Sequence, residues 1–307
     1  MGEIVFLGTG SAWRTPEHGC QCAICSIMRM RNEERARSSI LIQSNCTLLI
    51  DCGPDLLNQM KIHNLGRPDA VLITHEHGDH FLGMDDLLAY RRTIPANQWK
   101  PIPVYASYET WKSVELRFSY LIGSLIERNI AVPNQPIVDF GDTIIPFSTD
   151  HGVTAPGSVG YVIECGASGA GKKIVYTSDF VGLPEEPDFL SNPDILIFQS
   201  HWLNEPDENR PSHMSLQRGI DYIRRWAPIE ATYLIHISAS DIVSGDPNNN
   251  ILKKPECSNP LISPRTSVPY PTPRCQSEWQ SVADTIAQDF ALSCKLMVSY
   301  DGLRVSL

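Results

Sequence analysis

An α/β protein built from two sheets covered by helices is the fold class this sequence predicts. Three observations carry that expectation. Short apolar runs recur along the chain with stretches of helical periodicity between them. Several of these runs end on a histidine or an aspartate. One junction between strand and helix gathers four such residues in seven positions, Thr74-His75-Glu76-His77-Gly78-Asp79-His80. The 307 residues are 42% hydrophobic and 20% charged, ample for a large core.

The elements follow in order. Strands are expected at Ile4–Leu7, Ser39–Ile42 and Thr47–Ile50, the last running into Asp51-Cys52-Gly53. Helical spacing occupies Pro54–Ile62. Pro68–Ile73 reads as a short buried strand entering a turn, with Gly78 letting the backbone bend. Phe81–Leu88 leaves that turn as a helix continuing to Arg92, and Trp111–Glu127 predicts a longer helix. Strands are expected at 143–148, 159–164, 173–177 and 194–199, with the Gly/Ser-rich 166–171 as an exposed hairpin loop. A helix at Leu216–Trp226 precedes a strand at 231–236. Residues 244–275 break the pattern with Asn248-Asn249-Asn250 and repeated prolines, so a long loop is expected. Glu278–Phe290 reads as an amphipathic helix. Lys295–Ser299 and Leu303–Ser306 predict a closing hairpin around Asp301-Gly302. One elaborated domain over 1–307, with a Pro-rich insertion at about 244–275, is the expected organisation.

Imidazoles and a carboxylate at the density of His75, His77, Asp79 and His80 suit zinc, manganese or iron(II). Downstream, His151 closes the strand at 144–150, Asp179 closes 173–178 and His236 closes 231–235. Strand ends can carry a site on a rigid scaffold. Cys20, Cys22 and Cys25 form C-x-C-x-x-C, the spacing of a thiolate zinc corner, or else three reduced cysteines in a loop. Nine cysteines is an odd number, which argues against a disulfide framework.

The net charge of −10 disfavours extended nucleic-acid binding, which relies on Lys and Arg contacts to phosphate. No apolar run approaches the ~20 residues that span a bilayer, so no membrane partner is expected. The first residues enter a strand rather than a secretory signal, and a cytoplasmic location is expected. The partner class is then a small substrate, with a homodimer left open.

The His-x-His-x-Asp-His pattern resembles the metallo-β-lactamase superfamily. That resemblance implies a four-layer αββα sandwich with metals at one edge of the sheets. It implies two divalent metals, Mn2+ or Zn2+, one held by His75, His77 and His151. The other falls to Asp79, His80 and His236, with Asp179 bridging. Leu7-Gly8-Thr9-Gly10, the cysteine run, Arg37-Ser38-Ser39, Ile50-Asp51-Cys52-Gly53-Pro54, Tyr176-Thr177-Ser178-Asp179, Ser212-His213-Met214-Ser215 and Tyr300-Asp301-Gly302-Leu303 resemble one branch. It contains the phosphoribosyl 1,2-cyclic phosphate phosphodiesterase of the carbon–phosphorus lyase pathway.

The branch implies a phosphodiesterase acting on a small, cyclic phosphate ester. Two metals about 3.5–4 Å apart activate water and clamp a phosphoryl oxygen. Asp79 orients the nucleophile, His213 is the expected acid for the leaving alkoxide, and His201 is a supporting partner. Arg91 and Arg92 are candidates to meet a phosphate. The branch also implies a structural Zn2+ on Cys20, Cys22 and Cys25, completed by a histidine three residues after His236. Ala239 stands there instead, so His18, Cys257 or Cys275 is expected to complete the set. A tRNA 3′-processing endonuclease, a lactonase or thioesterase, and a non-hydrolytic role related to pyrroloquinoline quinone synthesis are the alternatives on the same site.

Overall fold

The structure, a computed structural model, describes residues 2–166, 171–250 and 252–307. Its strands are β1 (Glu3–Gly8), β2 (Ser39–Gln43), β3 (Thr47–Ile50), β4 (Ala70–Leu72), β5 (Ile102–Ala106), β6 (Ile126–Ile130), β7 (Thr143–Ser148), β8 (Val159–Glu164), β9 (Lys173–Tyr176), β10 (Ile195–Gln199), β11 (Ala231–Ile235), β12 (Lys295–Val298) and β13 (Arg304–Ser306). Its α-helices are α1 (Ala23–Arg31), α2 (Leu56–His63), α3 (Gly78–Phe81), α4 (Leu88–Thr93), α5 (Tyr108–Phe118), α6 (Leu216–Trp226) and α7 (Gln276–Asp289). One sheet runs β13-β1-β2-β3-β4-β5-β6 and the other β12-β11-β10-β9-β8-β7.

Alternation along the strands builds four layers. Ile4 and Phe6 of β1 face the second sheet, in one cluster with Tyr161, Ile174, Tyr176 and Ile197. Their neighbours Val5 and Leu7 face outward, onto Leu56 of α2 and Trp111, Val114 and Phe118 of α5. The second sheet repeats the arrangement. Val175, Leu196, Phe198 and Leu234 pack on Leu216, Ile220, Ile223 and Trp226 of α6 and on Trp279, Val282 and Ile286 of α7. This is the αββα sandwich expected from the resemblance.

Strand direction places the site. β3 to β6 run parallel in the first sheet, and β9 to β12 run parallel in the second. β7 is antiparallel to β8 and β8 to β9, so β7 shares the direction of β9. The C-terminal ends of the parallel strands in each sheet therefore collect on one edge, where open α/β sheets bind ligands.

Three expectations change. The helix at Trp111–Glu127 stops at Phe118, and Ile126 and Glu127 belong to β6, which pairs in parallel with β5. Ser107 caps that helix instead, its Oγ accepting from Thr110 N at 3.1 Å. The closing hairpin does not form. β12 pairs with β11 while β13 pairs with β1, so the Asp301-Gly302 turn carries the chain from one sheet to the other. Asp301 is the reason: its carboxylate accepts from Thr9 N, Thr9 Oγ1 and Ala36 N at 2.9, 2.8 and 2.6 Å, pinning the turn to the first sheet. Third, Gly78 opens α3 without a positive φ, so the turn does not use glycine's left-handed freedom.

The Pro-rich segment is the long loop expected, with no helix or strand in its described residues, and it is packed down rather than free. Leu261 and Tyr270 join the core under α6 and α7, and Ser258 and Ser263 bond Asp207 and Asp289. The loop expected at 166–171 joins β8 to β9; its residues 167–170 lie outside the described residues.

Candidate metal centre

The heptapeptide begins two residues after β4 and turns into α3. Two glycines let it sit against the end of β3. A Cβ on Gly53 would lie 1.8 Å from Asp79 O, and one on Gly83 would lie 1.9 Å from Gly53 O. Neither position tolerates a side chain. Asp51, Ser178 and His236 carry φ of 60°, 61° and 63°, the left-handed region that L residues seldom adopt. All three stand where a strand has just ended beside the cluster, which is where such strain gathers.

The structure brings together the residues expected from sequence. His75, His77 and His151 form one group, and Asp79, His80, Asp179 and His236 a second, with the facing ligand atoms of each group within 4.8 Å of one another. Asp179 Oδ2 stands between them, 2.9 Å from His236 Nε2, 3.4 Å from His80 Nε2 and 3.9 Å from His151 Nε2.

Hydrogen bonds behind the cluster fix which nitrogen faces inward. His80 Nδ1 donates to Asp51 Oδ2 at 2.7 Å. Thr74 Oγ1 donates to the same carboxylate at 3.0 Å, so it accepts from His75 Nδ1 at 2.9 Å. His151 Nδ1 donates to Ser212 O at 2.9 Å. In each ring a hydrogen bond holds the outer nitrogen and leaves the inner Nε2 as the ligand atom, as in metal-binding histidines. His77 faces the cluster through Nδ1, 3.1 Å from His151 Nε2, with Thr154 Oγ1 3.1 Å from its other nitrogen.

The inward atoms are unsatisfied. His75 Nε2, His80 Nε2, His236 Nε2 and Asp179 Oδ2 are all buried without a well-formed hydrogen bond, and the last three meet as close ionic contacts. A buried polar atom left unpaired costs about 1–3 kcal/mol. Four of them facing one another make a deficit that a divalent cation removes, and the His/Asp donor set suits zinc or manganese. These residues fit the metals.

Electrostatics divides the two groups. Burial pushes the pKa values of His75, His77 and His151 down, leaving neutral donors. Burial acts the same way on His80 and His236, but the carboxylates around them win. Asp79, Asp51 and Asp179 hold His80 well above the usual range, and Asp179 with Asp79 raises His236 to about 9. Burial also opposes ionisation of Asp79 and Asp179, yet His80 and His236 hold both far below the usual carboxylate range. Without a cation this half of the site keeps protons where a metal would sit.

Sequence reasoning passed over two residues. Asp51 anchors both His80 and Thr74, and its position directly after β3 was the available signal. Gln199 ends β10 on the same edge. Its Oε1 accepts from Phe180 N at 2.8 Å and Met214 N at 3.1 Å, which turns its amide nitrogen toward His213 Nδ1 at 2.7 Å. His213 therefore carries its proton on Nε2. It lies where expected, with Nδ1 3.6 Å from Asp179 Oδ2, and burial holds its pKa well below 6.5. His201 stacks on His213 at 4.2 Å and sets its Nδ1 3.4 Å from His236 Nδ1. Arg91 instead lies over the Trp99 ring, 5.5 Å from its centroid, and Arg92 is exposed.

The cysteines also converge, with Cys20, Cys22 and Cys25 in one group. The fourth ligand expected from His18, Cys257 or Cys275 does not join them among the described residues. His18 is exposed, and Cys275 Sγ is 3.4 Å from Ser277 Oγ at the start of α7. The nearby group is an ammonium: Lys253 Nζ is 3.4 Å from Cys20 Sγ and 4.0 Å from Cys25 Sγ.

A four-layer sandwich with this donor cluster at the strand ends defines a metal-dependent hydrolase of the metallo-β-lactamase fold. The chain belongs to the β-lactamase superfamily, residues 47–237 matching the family described as a beta-lactamase superfamily domain. It is 30% identical over 246 residues to an octanoyltransferase of Porphyromonas gingivalis, covering 77% of this chain and 46% of that protein. The chain thus spans less than half of that relative's length. It is 25% identical over 285 residues to ribonuclease Z of Thermococcus kodakarensis, covering 77% of this chain and 84% of that one. In fold it resembles a diphosphatase of the PhnP family, with a TM-score of 0.70 and 24% identity over 100% of this chain and 98% of that one. Zn2+-bound PqqB of Methylobacterium extorquens aligns with a TM-score of 0.67 and 20% identity over 99% and 100%.

Proposed function

We propose that this protein is a dinuclear, metal-dependent phosphodiesterase that hydrolyses a small, cyclic phosphate ester such as 5-phosphoribosyl 1,2-cyclic phosphate. The observation that carries the reading is the set of unpaired inward atoms on His75, His80, His236 and Asp179, continuous with His77, His151 and Asp79. His75, His77 and His151 would hold one Mn2+ or Zn2+, and Asp79, His80 and His236 the other, with Asp179 reaching both. When bound, such a pair supplies Lewis-acid charge against a phosphoryl group and lowers the pKa of water. The similarity to a PhnP-family diphosphatase supports a phosphorylated compound as the substrate class.

The chain's own residues do the rest. Asp51 and Thr74 hold the His80 and His75 rings in the orientation that presents Nε2. Gln199 fixes the His213 tautomer, so His213 offers an Nε2 hydrogen to the substrate. The neighbouring Gln199 amide disfavours a second proton on Nδ1, and burial disfavours the imidazolium. His213 therefore serves as a hydrogen-bond donor to a phosphoryl or leaving-group oxygen, in place of the general acid expected from sequence. His213→Ala should slow esters with good and poor leaving groups alike, by roughly a hundredfold. Selective slowing of poor leaving groups would restore the acid role.

The test of the function is turnover of 5-phosphoribosyl 1,2-cyclic phosphate by manganese-loaded protein beside an Asp179→Ala control. Turnover abolished in the control supports the proposal, and no turnover by the fully loaded protein rejects this substrate. The similarity to ribonuclease Z supports a second reading, cleavage of precursor tRNA at its 3′ side. The net charge of −10 weighs against it, and precursor tRNA in the same assay separates the two.

A further inference from the structure

The cysteine corner contains the thiols of a zinc site without its fourth donor. Cys22 and Cys25 are fully buried, Cys20 partly so, and Ala239 packs against them with no polar atom to offer. Structural zinc is almost always held by four donors. The carboxylate of Asp246 is committed elsewhere, one oxygen accepting from Ala23 N at 2.7 Å and the other from Asn248 N at 2.9 Å. What approaches the sulfurs instead is the Lys253 ammonium, itself paired with Glu17 Oε1 at 3.0 Å. An ammonium has three donors and no lone pair, and its charge repels a metal cation.

We propose that Cys20, Cys22 and Cys25 form a metal-free sulfur–ammonium cluster, in which Lys253 from the Pro-rich segment takes the place a fourth zinc donor would need. The cluster does the mechanical work of a structural metal. It ties the loop before α1 and the first turn of that helix to a segment more than 200 positions further along the chain. Two other contacts fasten the same segment: Asp246 on the first turn of α1, and Lys254 Nζ donating to Asp241 O at 2.7 Å. Glu17 N also donates to Cys25 Sγ at 3.4 Å, so the sulfur has a backbone partner as well as the ammonium.

The charges are mutually consistent. Burial works against the Lys253 charge, but the Glu17 hydrogen bond and the cysteines raise its pKa, so it stays an ammonium. A hydrogen bond from Cys25 draws the Cys22 thiol down to about 4 against the effect of burial, with Lys254 adding to the pull. The Lys253 ammonium and the Glu17 backbone N–H meet the sulfurs directly, so the corner is occupied without a metal.

Cobalt(II) tests this in the full-length protein. Sulfur-bound cobalt gives a thiolate-to-metal charge-transfer absorption in the near ultraviolet, which cobalt held only by histidine and aspartate does not. Protein stripped with a chelator and reloaded with excess cobalt should show none. Lys253→His, which replaces the ammonium with an imidazole donor, should gain the absorption of one sulfur-bound cobalt per chain, with far-UV circular dichroism confirming its fold. Charge-transfer absorption in the unsubstituted protein, lost in Cys22→Ser, would overturn the proposal. A folded Lys253→His that stays blank would also overturn it, because Lys253 would not then stand at the fourth position. The unsubstituted protein decides the matter alone if the variant fails to fold.

Discussion

The histidine cluster and the cysteine corner have similar local sequences and opposite chemistry. Both gather metal-type side chains within a few residues and bury most of them. In the histidine cluster, bonds to Asp51, Thr74 and Ser212 occupy the outer ring nitrogens, and four inner atoms are left without a well-formed hydrogen bond. In the corner, Lys253 and the Glu17 backbone already face the sulfurs. A donor spacing is therefore not yet a metal site. What separates the two is whether the surrounding protein has left the donors unsatisfied.

Substitutions in the two places should have unequal effects. Asp179→Ala removes the carboxylate that reaches His80, His151 and His236. It should cut the proposed phosphodiesterase activity by roughly a thousandfold or more, beyond the 10–100-fold that losing a supporting partner costs. Metal counting should show loss from the cluster, and retained metal with retained activity would break the contrast. Asp51→Asn keeps the shape but weakens the hold on His80 and Thr74. Its metal affinity, read by competition with a chelator, should fall by about 10–100-fold.

Metal-free protein supplies a third comparison through pH. His236 rises from 6.5 to about 9 in the folded site. A raised pKa stabilises the fold where the group is protonated, so its contribution is complete below 6.5 and lost as pH rises through about 9. The melting temperature of chelated protein should therefore fall between pH 6.5 and 9, and bound metal should suppress that dependence. A flat profile for the chelated protein would contradict this electrostatic picture. The smallest effect belongs to the corner. Lys253→Met should lower the melting temperature by about 2 °C and leave the metal content of the histidine cluster unchanged.

Most of the fold and most of the cluster were legible because their signals are local. The heptapeptide packs four donors into seven positions, and His151, Asp179 and His236 each follow an apolar strand. Asp51 and Gln199 carry the same strand-end signal, but a lone aspartate or glutamine after a strand has many uses. Only the approach of His80 and His213 reveals theirs. The Asp301-Gly302 turn reads locally as a hairpin because alternation and turn chemistry are both present. Its true path depends on Thr9 and Ala36, far away in sequence. Lys253 was illegible for the same reason, since no local pattern places a lysine against thiols more than 200 residues earlier.

Anomalous diffraction from crystals grown with zinc, collected on both sides of the zinc absorption edge, would locate every bound metal in one experiment. Two peaks are expected, one among His75, His77 and His151 and one among Asp79, His80 and His236, with none at Cys20, Cys22 and Cys25. A peak at the cysteines, or an empty histidine cluster in zinc-saturated crystals, would contradict this assignment of the two regions.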